Sequence, residues 1–174
     1  MDFLELAKKR HSCRSYSSKP VEEEKLSAIV EAGLHAPSGM NRQSAIALVV
    51  TDPKTKLELR KVNAQDDALK RPDPFYGAPA LLVVLSKKSV PTHVEDAALM
   101  IENMLLEATD LGLGSCYIYR AREEIESETG RKILASLGLN PEDYEGVGNV
   151  IVGYPKDDFV PLVHPIQDGR VYKI

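Results

Sequence analysis

Apolar residues recur along this chain in two rhythms, one near the helical repeat and one of short unbroken runs, and the two alternate. Residues 2–10 read as a first helix, opened by Asp2 and Glu5 and closed by Lys8, Lys9 and Arg10, the charge order that a helix dipole favours. A second helix starts at Pro20, a favourable first-turn position, and carries Glu22, Glu23 and Glu24 early. Its Leu26, Ile29, Val30 and Leu34 share one face, and Pro37 ends it. The run at residues 45–50 predicts a buried strand, residues 53–62 a third helix, and the polar, proline-punctuated residues 63–77 a loop.

A second strand is predicted at residues 80–86, then a long helix at 94–111. That helix sets Val94, Ala97, Ala98, Ile101, Met104, Leu105 and Ala108 on a stripe broad enough for a central helix or a subunit interface. Gly112 and Gly114 end it, and residues 115–119 give a third strand. A shorter helix near 129–137 stops at Gly138, a fourth strand covers 147–152, and residues 171–174 form a last extended piece. Four or five strands among about five helices, without repeats or linkers, make one domain over residues 1–174, an α/β or α+β sandwich. No GxGxxG opens a helix after the first strand, so a dinucleotide-binding Rossmann fold lacks its main signature.

Composition narrows the function classes. With 43% hydrophobic and 28% charged residues in 174, the chain is ordinary for a globular protein with a real core. A net charge of -4 argues against nucleic acid or an anionic membrane as the main partner. The longest apolar run, residues 78–85, is eight residues long and contains a proline, far short of a membrane span. Cys13 and Cys116 have no CxxC companion, which speaks against a disulfide framework or a zinc site. The start of the chain has no apolar stretch of leader length, and a reducing cytoplasm is the expected compartment.

Two segments concentrate polar chemistry. Arg10 and Arg14 stand four residues apart with Ser12 between them, forked donors and a hydroxyl suited to a phosphate. Spacing alone equally allows a solvated basic helix end that compensates the dipole. Residues 36–44, Ala-Pro-Ser-Gly-Met-Asn-Arg-Gln-Ser, join a helix to a buried strand with many hydrogen-bonding side chains. Such a loop either lines a site or simply stops the helix and turns the chain.

Taken in order, Arg-His-Ser-x-Arg near residue 10 and Ala-Pro-Ser-x-x-Asn-x-Gln near residue 40 resemble the nitroreductase family of FMN proteins. Residues 111–118, Leu-Gly-Leu-Gly-Ser-Cys-Tyr-Ile, are similar to that family's passage from helix to strand beside the flavin, and residues 150–155 to its last core strand. The resemblance spans nearly the whole chain. It implies an α+β fold, a central, mostly antiparallel sheet of four or five strands flanked by helices, with an extended C-terminal tail. It also implies a homodimer with its sites at the interface.

Residue by residue, the resemblance implies that Arg10, Ser12 and Arg14 hold the FMN phosphate and ribityl chain, with His11 contributing through its backbone. Pro37, Ser38 and Gly39 would come from the partner subunit and line the isoalloxazine, while Asn41 and Gln43 bind ribityl hydroxyls or support the loop. Asn63 is placed at the pyrimidine edge, and the backbone of Tyr117, Ile118 and Tyr119 beside the ring. Relatives often carry a Lys or Arg after the final core strand; here His164 or Arg170 stands in for it. The chain also lacks a large insertion after the third helix, so the lid over the flavin is undefined.

The implied chemistry takes electrons from NADH or NADPH and gives them to a nitroaromatic, a quinone or a similar acceptor in two half-reactions at one flavin face. No catalytic side chain is then required, in keeping with a sequence that offers no triad or metal cluster. Alternatives are another flavin reaction on the same fold (dehydrogenase, dehalogenase or flavin-fragmenting) and a flavin-binding protein without turnover. His35 reads as a packed or surface histidine, and His93 with Glu95 and Asp96 as a helix cap in preference to a metal site. Cys116 reads as a small buried hydrophobe, and Cys13 as a thiol that neighbouring Arg14 could activate. Tyr117 and Tyr119 share one strand face, suited to packing or to substrate stacking.

Overall fold

Leu81, Leu82, Val83, Val84 and Leu85 are all fully buried, and successive side chains of a strand point to opposite faces. Such a strand needs cover on both sides, and the fold supplies it. In the computed structural model, which describes residues 2–65, 73–162 and 165–174, the elements run α1 (Phe3–Lys9), α2 (Glu23–Leu34), β1 (Ala45–Val50), α3 (Pro53–Gln65), β2 (Ala80–Lys87) and α4 (His93–Asp110). They continue with β3 (Gly114–Ile118), α5 (Ala121–Glu126), α6 (Glu128–Ser136) and β4 (Tyr144–Gly153).

The four strands form one antiparallel sheet in the order β1-β2-β4-β3. Leu81, Val83, Leu85, Cys116, Ile118 and Ile151 face a core closed by Leu59 of α3, Ile125 of α5 and Leu134 of α6. Ala80, Leu82, Val84, Val150 and Val152 face a second core, closed by Leu26 and Ile29 of α2 and by Met100, Ile101 and Met104 of α4. The layers are therefore helices, sheet, helices. Among the described residues, no helix is long and apolar enough to cross a membrane.

Several boundaries differ from expectation. α2 begins at Glu23, not Pro20, and β4 at Tyr144, ahead of the expected 147. α3 continues to Gln65, so Asn63 sits in a helix and not at the start of a loop; of the expected loop, residues 66–72 fall outside the described residues. The helix expected near 129–137 is α6, and an unexpected helix, α5, precedes it with Ser127 between them; Ser127 Oγ accepts the Gly130 N–H at 3.1 Å and caps α6. Residues 171–174 add no strand to the sheet. The stripe on α4 resolves as a central helix: Ala97, Ile101, Met104, Leu105 and Ala108 are buried within the chain, while Val94 and Ala98 face outward beside exposed Leu99.

Candidate functional site

Residues 10–17 leave α1 in extended conformation and run along the sheet edge. Ser12 bridges Ser115 in parallel, the Cys13 N–H donates to the Ser115 carbonyl at 2.8 Å, and Tyr16 bridges Pro155. Arg10 and Ser12 are half-buried and Arg14 is exposed, while Cys13 between them is buried in the core, as is Tyr16. His11 stacks on Phe159 with ring centroids 5.4 Å apart. Arg14 is exposed, and the Arg10 guanidinium has Glu102 at 4.0 Å, a loose surface pair. The outcome is two guanidinium groups and a hydroxyl within five residues of one edge segment, with Ser115 Oγ buried on the strand beside it and without a partner among the described residues. Cys13 is no activated thiol: burial pushes it above the usual thiol range, outweighing Arg14.

Residues 37–44 are fixed at a different place. The Gly39 N–H donates to Asp96 Oδ1 at 2.9 Å, Thr92 Oγ1 to Asp96 Oδ2 at 3.1 Å, and Ser44 Oγ to Asp96 Oδ2 at 3.4 Å. Ser44 Oγ also lies 2.9 Å from Ser86 Oγ. Within the loop, Ser38 Oγ accepts the Gln43 N–H at 3.0 Å, and Gln43 Nε2 donates to Asn41 Oδ1 at 3.0 Å. Met40, Asn41 and Gln43 have φ of 54°, 54° and 48°, left-handed conformations that persist only where contacts impose them. Asp96, read from sequence as part of a helix cap, is thus the anchor of this loop. Residue type alone gives no sign of a partner 57 positions away.

The third group lies at the end of β3. Tyr117 and Tyr119 are 41% and 71% exposed, so neither is a core side chain. The Tyr117 hydroxyl donates to the Val147 carbonyl at 2.9 Å and its ring lies over Gly148, where a Cβ would meet Tyr117 Cε2 at 2.3 Å. Asn63 is 2% exposed and its amide donates to the Tyr119 carbonyl at 2.8 Å and to Glu124 Oε1. His35 caps the end of α2, and His93 Nε2 stands 3.3 Å from Glu145 Oε2. His164 lies outside the described residues.

Within one chain the first two groups stand apart. Asp96 is in the first turn of α4, whereas Ser12 lies against the strand that follows the helix's other end, and 18 residues of helix measure roughly 27 Å. The cavity between α2 and β1, about 610 Å³ and lined by Val21, Leu26, Val30, Leu34 and Val49, contains none of the candidate residues.

Comparison with known proteins gives a consistent picture. The model of the nitroreductase family matches residues 7–154. A protein of Archaeoglobus fulgidus whose name gives NADH dehydrogenase and NAD(P)H nitroreductase as alternatives is 31% identical over 179 residues, covering 99% of this chain and 97% of that protein. An NADPH-dependent oxidoreductase of Staphylococcus saprophyticus is 27% identical over 168 residues; the match takes in 88% of this chain but only 64% of that longer protein. The crystal structure of a Bacteroides fragilis nitroreductase with bound FMN superposes with a TM-score of 0.89 at 29% identity, covering 100% of this chain and 99% of that one.

Proposed function

This chain belongs to the nitroreductase family, and from that premise we propose that it is an FMN-dependent oxidoreductase passing electrons from NADH or NADPH to a nitroaromatic, a quinone or a similar organic acceptor. The observation that carries this reading is the short segment bearing Arg10, Ser12 and Arg14, pinned beside β3 by the Ser12–Ser115 bridge. That donor set fits the phosphate of a nucleotide: guanidinium forks and a hydroxyl, on backbone rigid enough to hold them in register. The FMN-bound relative and the nicotinamide-dependent names of others support the same assignment.

When bound, FMN supplies the two-electron chemistry. The chain's own residues would bind it, orient it and exclude water. Arg10, Ser12 and Arg14 would hold the phosphate end. Tyr117, Ile118 and Tyr119 would offer a strand end to the ring, with Asn63 fixing the Tyr119 carbonyl. Pro37, Ser38, Gly39, Asn41 and Gln43 would form the second wall. In one chain that wall stands at the wrong end of α4, which supports a homodimer whose sites draw each wall from a different copy. Exposed Phe3, Leu4, Val94 and Leu99 offer apolar surface for such contact. The whole chain then serves as one FMN-binding domain, and its two free buried cysteines suit a reducing cytoplasm.

The purified protein should be yellow, with about one FMN per chain, and NADH or NADPH should bleach it without oxygen. A colourless protein, or one whose colour resists both nicotinamides, would overturn the reading. The shared wall is tested by mixing Arg14→Ala with Asp96→Ala: a heterodimer then holds one doubly damaged site and one intact site. Activity should return on mixing. Verified subunit exchange without recovery would rule out the shared site.

A further inference from the structure

Glu124 is a buried acid with no role in the reading above. It is 0% exposed, held between Asn63 of α3 and Asn149 of β4, which is itself 0% exposed. Its Oε1 accepts from Asn63 Nδ2 and, at 2.7 Å, from Asn149 Nδ2. Two atoms of this cluster have no partner among the described residues: Glu124 Oε2 and Asn149 Oδ1. Both are acceptors, and both belong to the two residues already joined by the other half of their head groups.

An ionised carboxylate offers acceptors only, so Oε2 and Oδ1 would stay bare in a low-dielectric interior. A protonated carboxyl changes both at once. The O–H on Oε2 donates to Asn149 Oδ1 while Asn149 Nδ2 donates to Oε1, the two-point pairing of a carboxylic acid with a primary amide. One hydrogen satisfies both unpartnered atoms. The charged surroundings agree: Glu123 on the same helix adds negative charge, Asn63 and Asn149 are neutral, and Arg120 at the helix start directs Nη1 to the Asn63 carbonyl at 2.8 Å.

We propose that Glu124 stands in the folded protein as a neutral carboxylic acid paired with the Asn149 amide, and that this pair, through Asn63, positions the Tyr119 carbonyl and the turn ending β3. Burial pushes the carboxyl up to about 8, against the pull of the Asn63 and Asn149 amides. Glu124 is a positioning residue: it fixes Asn63, and Asn63 ties both the Tyr119 carbonyl and, through its own carbonyl, Arg120. The turn carries a left-handed Arg120 with φ of 78°, a conformation that needs such ties. The consequence for flavin geometry rests on the function proposed above; the protonation state does not.

Infrared spectroscopy of the native protein should show a protonated-carboxyl stretch near neutral pH that is missing in Glu124→Gln and disappears as the pH is raised past about 8. Glutamine reproduces the neutral acid, with an amide N–H in place of the O–H. Backbone amides of residues 119–121 should therefore exchange hydrogen at nearly the native rate in Glu124→Gln and about tenfold or more faster in Glu124→Ala. A native protein without that band near neutral pH overturns the proposal, as does a glutamine variant that exchanges as fast as the alanine variant. Should the alanine variant not fold, the infrared comparison still decides. Neither readout uses flavin, so a protein that bound none would refute the proposed function and leave this inference standing.

Discussion

The backbone N–H of Gly39 donates to the carboxylate of Asp96 at 2.9 Å, and this bond hangs the loop between α2 and β1 from the first turn of α4. Asp96 is almost fully buried and also receives the Thr92 and Ser44 hydroxyls. A loop containing three left-handed residues has little reason to keep its shape alone, so one carboxylate governs the geometry of the proposed second wall.

Asp96→Ala should leave those donors unpaired and cost on the order of 3 kcal/mol. For a chain of this size, that lowers the thermal midpoint by about 6–12 °C. Asp96→Asn keeps one acceptor for Gly39 and should lose less than half as much. Thermal unfolding of the two variants checks this, and a midpoint unchanged in Asp96→Ala would release the loop from α4.

Gly39 tolerates no side chain, for a reason internal to the chain. A Cβ there would stand 2.3 Å from Thr92 Oγ1 and 3.2 Å from Thr92 Cβ and Cγ2. Gly39→Ala should therefore destabilise by about 1–3 kcal/mol. Adding Thr92→Ala removes the nearest atom, and the two changes should couple favourably by at least about 0.5 kcal/mol. Strict additivity in urea unfolding would show that the obstruction lies elsewhere.

Arg14 is exposed, so Arg14→Ala probes the phosphate-binding segment with little disturbance of the core. Removing one charge-assisted contact of roughly 1.5–3 kcal/mol should weaken FMN binding by about ten- to a hundredfold. Titration of the apoprotein by flavin fluorescence measures it. Unchanged affinity with an unchanged midpoint would remove Arg14 from the site.

Glu124 sets a pH dependence whose sign is fixed. The unfolded chain loses this proton in the ordinary carboxylate range, near 4.3 by the usual reference value for Glu, about pH 4 to 5. The folded chain keeps it up to about 8. Between those limits the native state binds more protons, so stability falls as pH rises, and the fall stops above the folded value. Relative to Glu124→Gln, the native protein should lose on the order of a few kcal/mol between pH 5 and pH 8.5. Parallel stability profiles from urea unfolding would exclude this contribution.

Much of this is legible in the sequence. The strands stand out because runs such as Ala-Leu-Leu-Val-Val-Leu have few other uses, and α2 and α4 because their apolar residues repeat at helical spacing. α5 is hidden because it has six residues and buries a glutamate, which breaks the pattern that marks a buried face. Asn63 reads as a loop residue because polar residues surround it, although its amide is spent deep in the fold. The Arg10–Arg14 segment is visible as a motif, whereas its partners are not. Asp96 and Glu124 act through contacts distant in sequence, and residue type carries no address for such contacts.

The strand order has a consequence for how the chain assembles. β4 is the last strand among the described residues, yet it lies between β2 and β3. During synthesis, β1 and β2 can pair early, but β3 has no neighbour in the sheet until Tyr144–Gly153 leaves the ribosome. Until then the largely apolar β2 keeps one hydrogen-bonding edge open, a surface suited to chaperones or to misassociation. Closing the sheet joins Ala80 to Val152 across a long stretch of chain, a slow kind of step. A nascent chain stalled before residue 144 would be left with its sheet open through the middle, not merely trimmed at one edge.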